Sequence, residues 1–178
     1  MQNLHYLPFS EINIDSPFFD SLKKDYAHGF LNWWDNKANN NESAYVLWDD
    51  TRNNVCGFMY LKIEEGPVHD INPQLPFGRY LKIGTFKVEA QGTLRGQRFV
   101  KKIVDFALHN QVQGIYTTIF SKHEGLIKLL ETYGFYCIGQ KNSPNGVENV
   151  FYKHMIVDPT CAFDPYHHYP FIKTTNTN

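Results

Sequence analysis

Arg95-Gly96-Gln97-Arg98 opens an amphipathic helix soon after a strand and a polar turn, an order of elements that suits the binding of an anion. The stretch from Tyr80 to Phe106 reads YLKIGTFKVEAQGTLRGQRFVKKIVDF. The first N–H groups of a helix have no partner inside the helix and lie at the positive end of its dipole, so they attract phosphate-like groups. Seven residues between Arg79 and Lys102 are basic, and Glu89 is the one acidic residue among them. The whole chain carries a formal charge of −1, so the positive field is local. Near-neutral charge also argues against a general nucleic-acid binder, which shows a broad basic excess. In the tail, Asp164, His167 and His168 have metal-ligating side chains, but no third or fourth ligand accompanies them, and no metal site is expected.

The elements that position the helix start follow from periodicity. Ser16-Pro17 is a helix start signal, followed by Phe18, Phe19, Leu22 and Tyr26 at helical spacing. Phe30 to Trp34 suggests a second short helix. Ala44 to Trp48 and Val55 to Ile63 read as a hairpin, and Glu64 to Gly78, with three prolines and two glycines, as a loop. Tyr80 to Val88 is a strand, and the helix from about Gly96 to Asn110 lines up Phe99, Ile103, Phe106 and Ala107. Gly114 to Phe120 is β-branched and aromatic, hence a strand. His123 to Tyr133 reads as a helix with Gly134 as its left-handed cap. Phe135 to Lys141 and Asn149 to His154 read as strands around Ser143-Pro144-Asn145-Gly146.

This order predicts an α/β (α+β) fold with a single mixed, mostly antiparallel central sheet and flanking helices. The chain's 178 residues, 42% of them apolar, suffice for one domain with a sizeable core. The domain is expected over residues 1–157, with 158–178 as a peripheral or partner-docking tail. Three scattered cysteines (Cys56, Cys137, Cys161), no signal-peptide pattern and no apolar run near the ~20 residues of a membrane span predict a cytoplasmic protein with no membrane association.

The strand–turn–helix from Lys87 to Val104 resembles the acyl-CoA-binding motif of the GNAT superfamily of N-acyltransferases. Arg95 and Gly96 match the family's Arg-Gly pair, whereas Arg98 and Val100 stand where later glycines are usual. The segment from His123 to Phe135 resembles the family's later helix, which ends in a Gly-Phe pair, here Gly134-Phe135. The resemblance spans roughly Ala44 to His154. It implies an N-acetyltransferase that moves an acetyl group from acetyl-CoA to a primary amine by direct attack in a ternary complex. It implies that Arg95, Gly96, Gln97, Arg98, Phe99 and Val100 cradle the pyrophosphate, and that Phe86, Lys87 and Val88 lie along the pantetheine arm. A strand amide near Phe86 to Val88 would polarise the thioester carbonyl.

A carboxylate or imidazole must take the amine's proton. Glu64, Glu65, Glu89, His69 and Asp70 are the candidates, with Glu64 and Glu89 foremost. Leu130 stands where many relatives have a tyrosine that protonates the departing thiolate, and His123, near a helix start, is the alternative donor. Tyr133 is expected to be a core aromatic, and Trp33-Trp34 to pack in the core or line an acceptor wall. The acceptor is expected to be a small molecule, peptide or protein bearing an amine. Nucleic acid is not expected apart from a tRNA-linked amine, and a homodimer is compatible with the reading. The rival readings are an acyl-CoA-binding sensor or scaffold domain with little turnover, and an acyltransferase toxin-like protein acting on charged tRNA or a protein.

Overall fold

The computed structural model describes residues 4–49, 54–89 and 94–155. The tail expected at 158–178, its Asp164, His167 and His168, and part of the turn before Arg95 lie outside the described residues. The strands are β1 (Leu4–Pro8), β2 (Ser43–Trp48), β3 (Val55–Glu65), β4 (Arg79–Val88), β5 (Gly114–Ile119), β6 (Tyr136–Ser143) and β7 (Gly146–His154). The helices are α1 (Asp20–Asp25), α2 (Phe30–Asn39), α3 (Leu94–His109) and α4 (Glu124–Thr132), with 3-10 turns at Phe9–Glu11 and Pro17–Phe19.

The strands hydrogen-bond in the order β1-β2-β3-β4-β5-β7-β6. The β1–β2, β2–β3 and β5–β7 pairs are antiparallel, and β4–β5 is parallel. The sheet is therefore mixed, as the sequence predicts. Two compact units divide the chain: one holds Met1–Leu61, Thr85–Gln91 and Pro144–Gly146, the other Lys62–Gly84, Gly92–Ser143 and Val147–Asn178.

In the first unit the apolar face closes on an aromatic core. Phe9, Phe19, Trp34 and Phe58 are all buried, and Phe19 and Phe58 are fully enclosed. Trp34 stacks on Phe58 at 5.4 Å, and Phe9 meets Trp34 edge-on at 4.8 Å, the offset arrangements that ring quadrupoles favour. Trp34 is thus a core residue, and Trp33 packs against the same cluster half-buried. The single first helix expected after Ser16 is a 3-10 turn followed by the short α1. β1 was not expected: Leu4–Pro8 is short and ends in proline, so its alternation is too brief to register.

In the second unit β5 is buried at nearly every position, as a central strand covered on both faces should be. Of the expected stripe on α3, Phe99, Ile103 and Ala107 are fully buried and Phe106 is half-buried, while Val100 joins them in the core. Tyr133 is buried next to Gly134, whose φ of 80° is the left-handed cap expected there.

Candidate functional site

β3 changes character past Leu61. Its apolar run gives way to Lys62, Ile63, Glu64 and Glu65, and the alternation of a strand sends Lys62 and Glu64 to one face. The parallel ladder of β4 and β5 pairs Tyr80 with Gly114, Leu81 with Ile115, Lys82 with Tyr116 and Ile83 with Thr117, and closes there. Lys82 and Tyr116 are thus neighbours one step before the ladder's end.

These strands bring a charged network together. The Tyr116 hydroxyl, fully buried, donates to Glu64 Oε2. Lys62 Nζ donates to Glu64 Oε1 at 3.1 Å. Lys82 Nζ lies 3.7 Å from Glu64 Oε1 and 3.8 Å from Asp70 Oδ2, and 5.3 Å above the Tyr116 ring. Lys141 Nζ donates to Asp70 Oδ2 at 2.5 Å. Glu64, Glu65, His69, Asp70, Lys62 and Lys82 line a cleft of about 450 Å³, together with apolar residues of the strand and loop.

The loop 66–78 is fixed over this face. Val68, Ile71 and Leu75 pack on Tyr80, Tyr116 and Val150. Val68 and Leu75 exchange backbone hydrogen bonds of 3.1 and 3.2 Å, and Asn72 and Gln140 exchange two of 2.8 Å. A Cβ on Gly139 would collide with the Asn72 carbonyl, so the close approach of loop and β6 requires glycine at that position. The cleft is therefore preformed.

Burial pushes the Glu64 carboxyl up, but the Tyr116 hydrogen bond and the charges of Lys82 and Lys62 outweigh it and hold Glu64 below its ordinary value of 4.5. Asp70 behaves alike: burial raises it, and the Lys141 hydrogen bond with the Lys82 charge takes it below 3.8. Burial and the bond to Glu64 push the Tyr116 phenol up, so it remains a donor at every physiological pH. A carboxyl whose folded value is depressed adds stability that is present above its ordinary value and is lost as pH falls through the folded one. Tyr116→Phe is accordingly expected to cost about 2 kcal/mol near pH 7, the usual loss for a hydrogen bond to a charged group. Urea unfolding at pH 7 and pH 3 checks this: the difference from wild type shrinks at pH 3, and equal stability at pH 7 refutes the assignment.

The structure brings four of the five expected proton acceptors, Glu64, Glu65, His69 and Asp70, into one cleft. Glu65 is bonded to Arg79 at 2.5 Å, and His69 Nδ1 lies 2.9 Å from Gln74 Oε1. Glu89 is exposed just past β4, its N–H bonded to the Cys56 carbonyl at 2.9 Å, and is not among the cleft residues. His123 is the N-cap residue of α4; its carbonyl accepts from Leu126 and Ile127, and its side chain makes no capping bond. Phe86, Lys87 and Val88 form the end of β4. The Lys87 ammonium donates to the Phe18 carbonyl and, at 2.7 Å, to Ser21 Oγ, and burial holds its pKa below the ordinary lysine value. That side chain ties the start of α1 to β4 and is committed within the fold.

Arg95, Gly96, Gln97 and Arg98 lie in the first turns of α3, as expected. Arg98 is exposed, Arg95 and Gln97 are half-buried, and Phe99 and Val100 are enclosed in the core. A Cβ at Gly96 would stand 2.7 Å from Leu129 Cδ2, the movable end of a side chain, so α3 and α4 approach closely at this residue. Lys82, Tyr116 and Lys141 were missed as site residues. Their signal was faint: a lysine in an apolar strand, readable only once its cross-strand neighbour is known. Among the described residues no group of three or more His, Cys, Asp or Glu could hold a metal ion. No described helix is long and apolar enough to cross a membrane.

No protein-family model and no curated protein matches the chain. Solved structures do. A chain in the crystal structure of the NatC complex bound to Gag peptide and CoA shares 19% identity, with a TM-score of 0.53 over 88% of this chain and 100% of that one. NAA60 of Arabidopsis thaliana, in complex with a bisubstrate analogue, shares 16% at a TM-score of 0.56, over 85% and 97%. An acetyltransferase of the GNAT family from Streptococcus agalactiae 2603 shares 16% at 0.53, over 78% and 79%. With its mixed seven-stranded sheet and the β4–α3–β5 unit at its centre, the chain has the GNAT acetyltransferase fold.

Proposed function

We propose that this protein is an N-acyltransferase that moves an acetyl group from acetyl-CoA to a primary amine. The observation that carries the reading is the fold likeness to acetyltransferases over 85% or more of the chain, two of them in complexes with CoA or a bisubstrate analogue. The Gag peptide in one of those complexes makes a peptide amine a reasonable acceptor, alongside small-molecule amines.

In this reading the free backbone N–H groups at the start of α3, those of Arg95 and Gly96, hold the pyrophosphate, and the exposed Arg98 side chain adds a charge-assisted contact. Phe99 and Val100 lie past the first turn of α3, with their side chains in the core and their N–H groups in the helical ladder, so neither is given a contact with the pyrophosphate. The backbone of Phe86 to Val88 pairs with the pantetheine arm. The amine nitrogen attacks the thioester carbonyl carbon, the C–S bond breaks, and CoA leaves as thiolate. Glu64 holds the attacking amine and accepts its proton; Glu89, away from the cleft lining, is given no step. Leu130 is fully buried and has no proton to offer, which leaves His123 or solvent to protonate the thiolate.

Calorimetric titration with acetyl-CoA tests the cofactor half of this reading. Saturable one-to-one binding with Kd of about 1 μM to 1 mM, the usual span for enzyme substrates, is expected. Absence of any saturable heat at millimolar acetyl-CoA refutes it.

A further inference from the structure

The Glu64–Lys82–Asp70 arrangement has a gap in it. Lys82 Nζ is 3.7 and 3.8 Å from its two carboxylate neighbours, beyond the 2.7–3.2 Å of a direct N–H···O bond. Among the described residues it has no hydrogen-bond partner, although its side chain is only 20% exposed. The other charged groups beside it are directly bonded: Glu64 to Tyr116 and Lys62, Asp70 to Lys141, Glu65 to Arg79. Lys82 is thus the cation of the cleft whose donors are left over, and a carboxylate sits beside it on either side.

We infer that the cleft takes an α-amino terminus, a primary amine with a carbonyl oxygen on the adjoining carbon. This inference rests on the acyltransferase reading for its purpose and on the cleft alone for its geometry. In such a terminus the amine nitrogen and the carbonyl oxygen lie roughly 3 Å apart, set by backbone bond lengths and angles. A ligand of that spacing donates from its ammonium to Glu64 and accepts at its carbonyl from Lys82, so both sides of the gap are satisfied at once. An isolated alkylamine or a lysine ε-amine offers the first contact only and leaves Lys82 unmatched. Apart from Ile63 the strand side of the lining is charged, so the contacts that the cleft offers there suit the polar terminus rather than a large apolar side chain.

The test is a titration of the intact protein, without acyl-CoA, followed by the backbone amide signals of residues 62–70 and 82 in NMR. The probes are tetraglycine amide, its N-acetylated form, glycine and n-butylamine. Tetraglycine amide should bind about tenfold more tightly than the N-acetylated form and than n-butylamine, the factor expected for one charge-assisted hydrogen bond. Glycine separates a free amino acid from a peptide terminus, and preference for either over n-butylamine supports the inference. Lys82→Met should reduce tetraglycine amide to the n-butylamine level, while Lys82→Arg, which keeps the donor and the charge, should retain the preference and show that the fold tolerates change at this site. Equal binding of n-butylamine and tetraglycine amide, or a preference unaffected by Lys82→Met, overturns the inference. Failure of acetyl transfer to every probe, with the binding preference intact, instead overturns the transferase reading.

Discussion

Glu64→Gln is expected to lower kcat/KM for the amine acceptor by about two orders of magnitude, within the range for removal of a positioned proton acceptor. Glutamine keeps an oxygen to accept the Tyr116 hydroxyl, so the fold is preserved while the negative charge and the proton acceptor are lost. Acetyl-CoA affinity should stay within about threefold, because an uncoupled group costs the cofactor nothing. The wild-type pH profile carries a second sign of the same role. Because Tyr116, Lys82 and Lys62 hold Glu64 below 4.5, the carboxylate is already ionised from pH 5 upward. The rise of kcat/KM with pH should therefore follow the acceptor amine, near pH 8 for an α-amine. Steady-state kinetics between pH 5 and 9 check both points. A Glu64→Gln rate equal to wild type removes Glu64 from the reaction, and a rate that is already flat at pH 6 shows that amine deprotonation does not limit it.

Gly96→Pro is expected to weaken acetyl-CoA binding by about tenfold or more, the loss of at least one charge-assisted hydrogen bond to a phosphate. Proline removes the N–H of residue 96 and disfavours the helical conformation of Arg95, while a position in the first turn of α3 lets the helix itself survive. Gly96→Ala is the control. It carries the same Cβ, 2.7 Å from Leu129 Cδ2, and keeps the N–H. The end of a leucine side chain can move aside, and alanine gains helix propensity, so the alanine variant should change stability by less than about 1 kcal/mol. Calorimetry on the pair separates packing from ligand contact: the difference between alanine and proline is the contribution of the N–H. Equal affinities of Gly96→Pro and wild type overturn the cradle.

Much of the fold was legible because its elements have strong periods. The stripe of Phe99, Ile103 and Ala107, the left-handed Gly134 and the apolar run of β5 each follow from local rules, and the structure has them where they were expected. Strand β1 was not legible, since five residues ending in Pro8 give too short an alternation, and its identity comes from pairing with Ser43–Leu47. The site was legible in part. Glu64, His69 and Asp70 drew notice as titratable residues in and beside a proline-rich loop. Their grouping with Lys82, Tyr116 and Lys141 depends on the β4–β5 register and on the Asn72–Gln140 tie, which join residues distant in sequence. Lys87 shows the converse: a basic residue in the right strand whose side chain is committed to the Phe18 carbonyl and Ser21.

The most direct measurement is release of CoA thiol from acetyl-CoA by the intact protein, with and without tetraglycine amide as acceptor. Acyl transfer predicts thiol release that depends on the acceptor, saturates with it, and matches the amount of N-acetylated product by mass spectrometry. Tight binding of acetyl-CoA with no acceptor-dependent release, across peptide and small-molecule amines alike, contradicts it and leaves an acyl-CoA-binding domain without turnover.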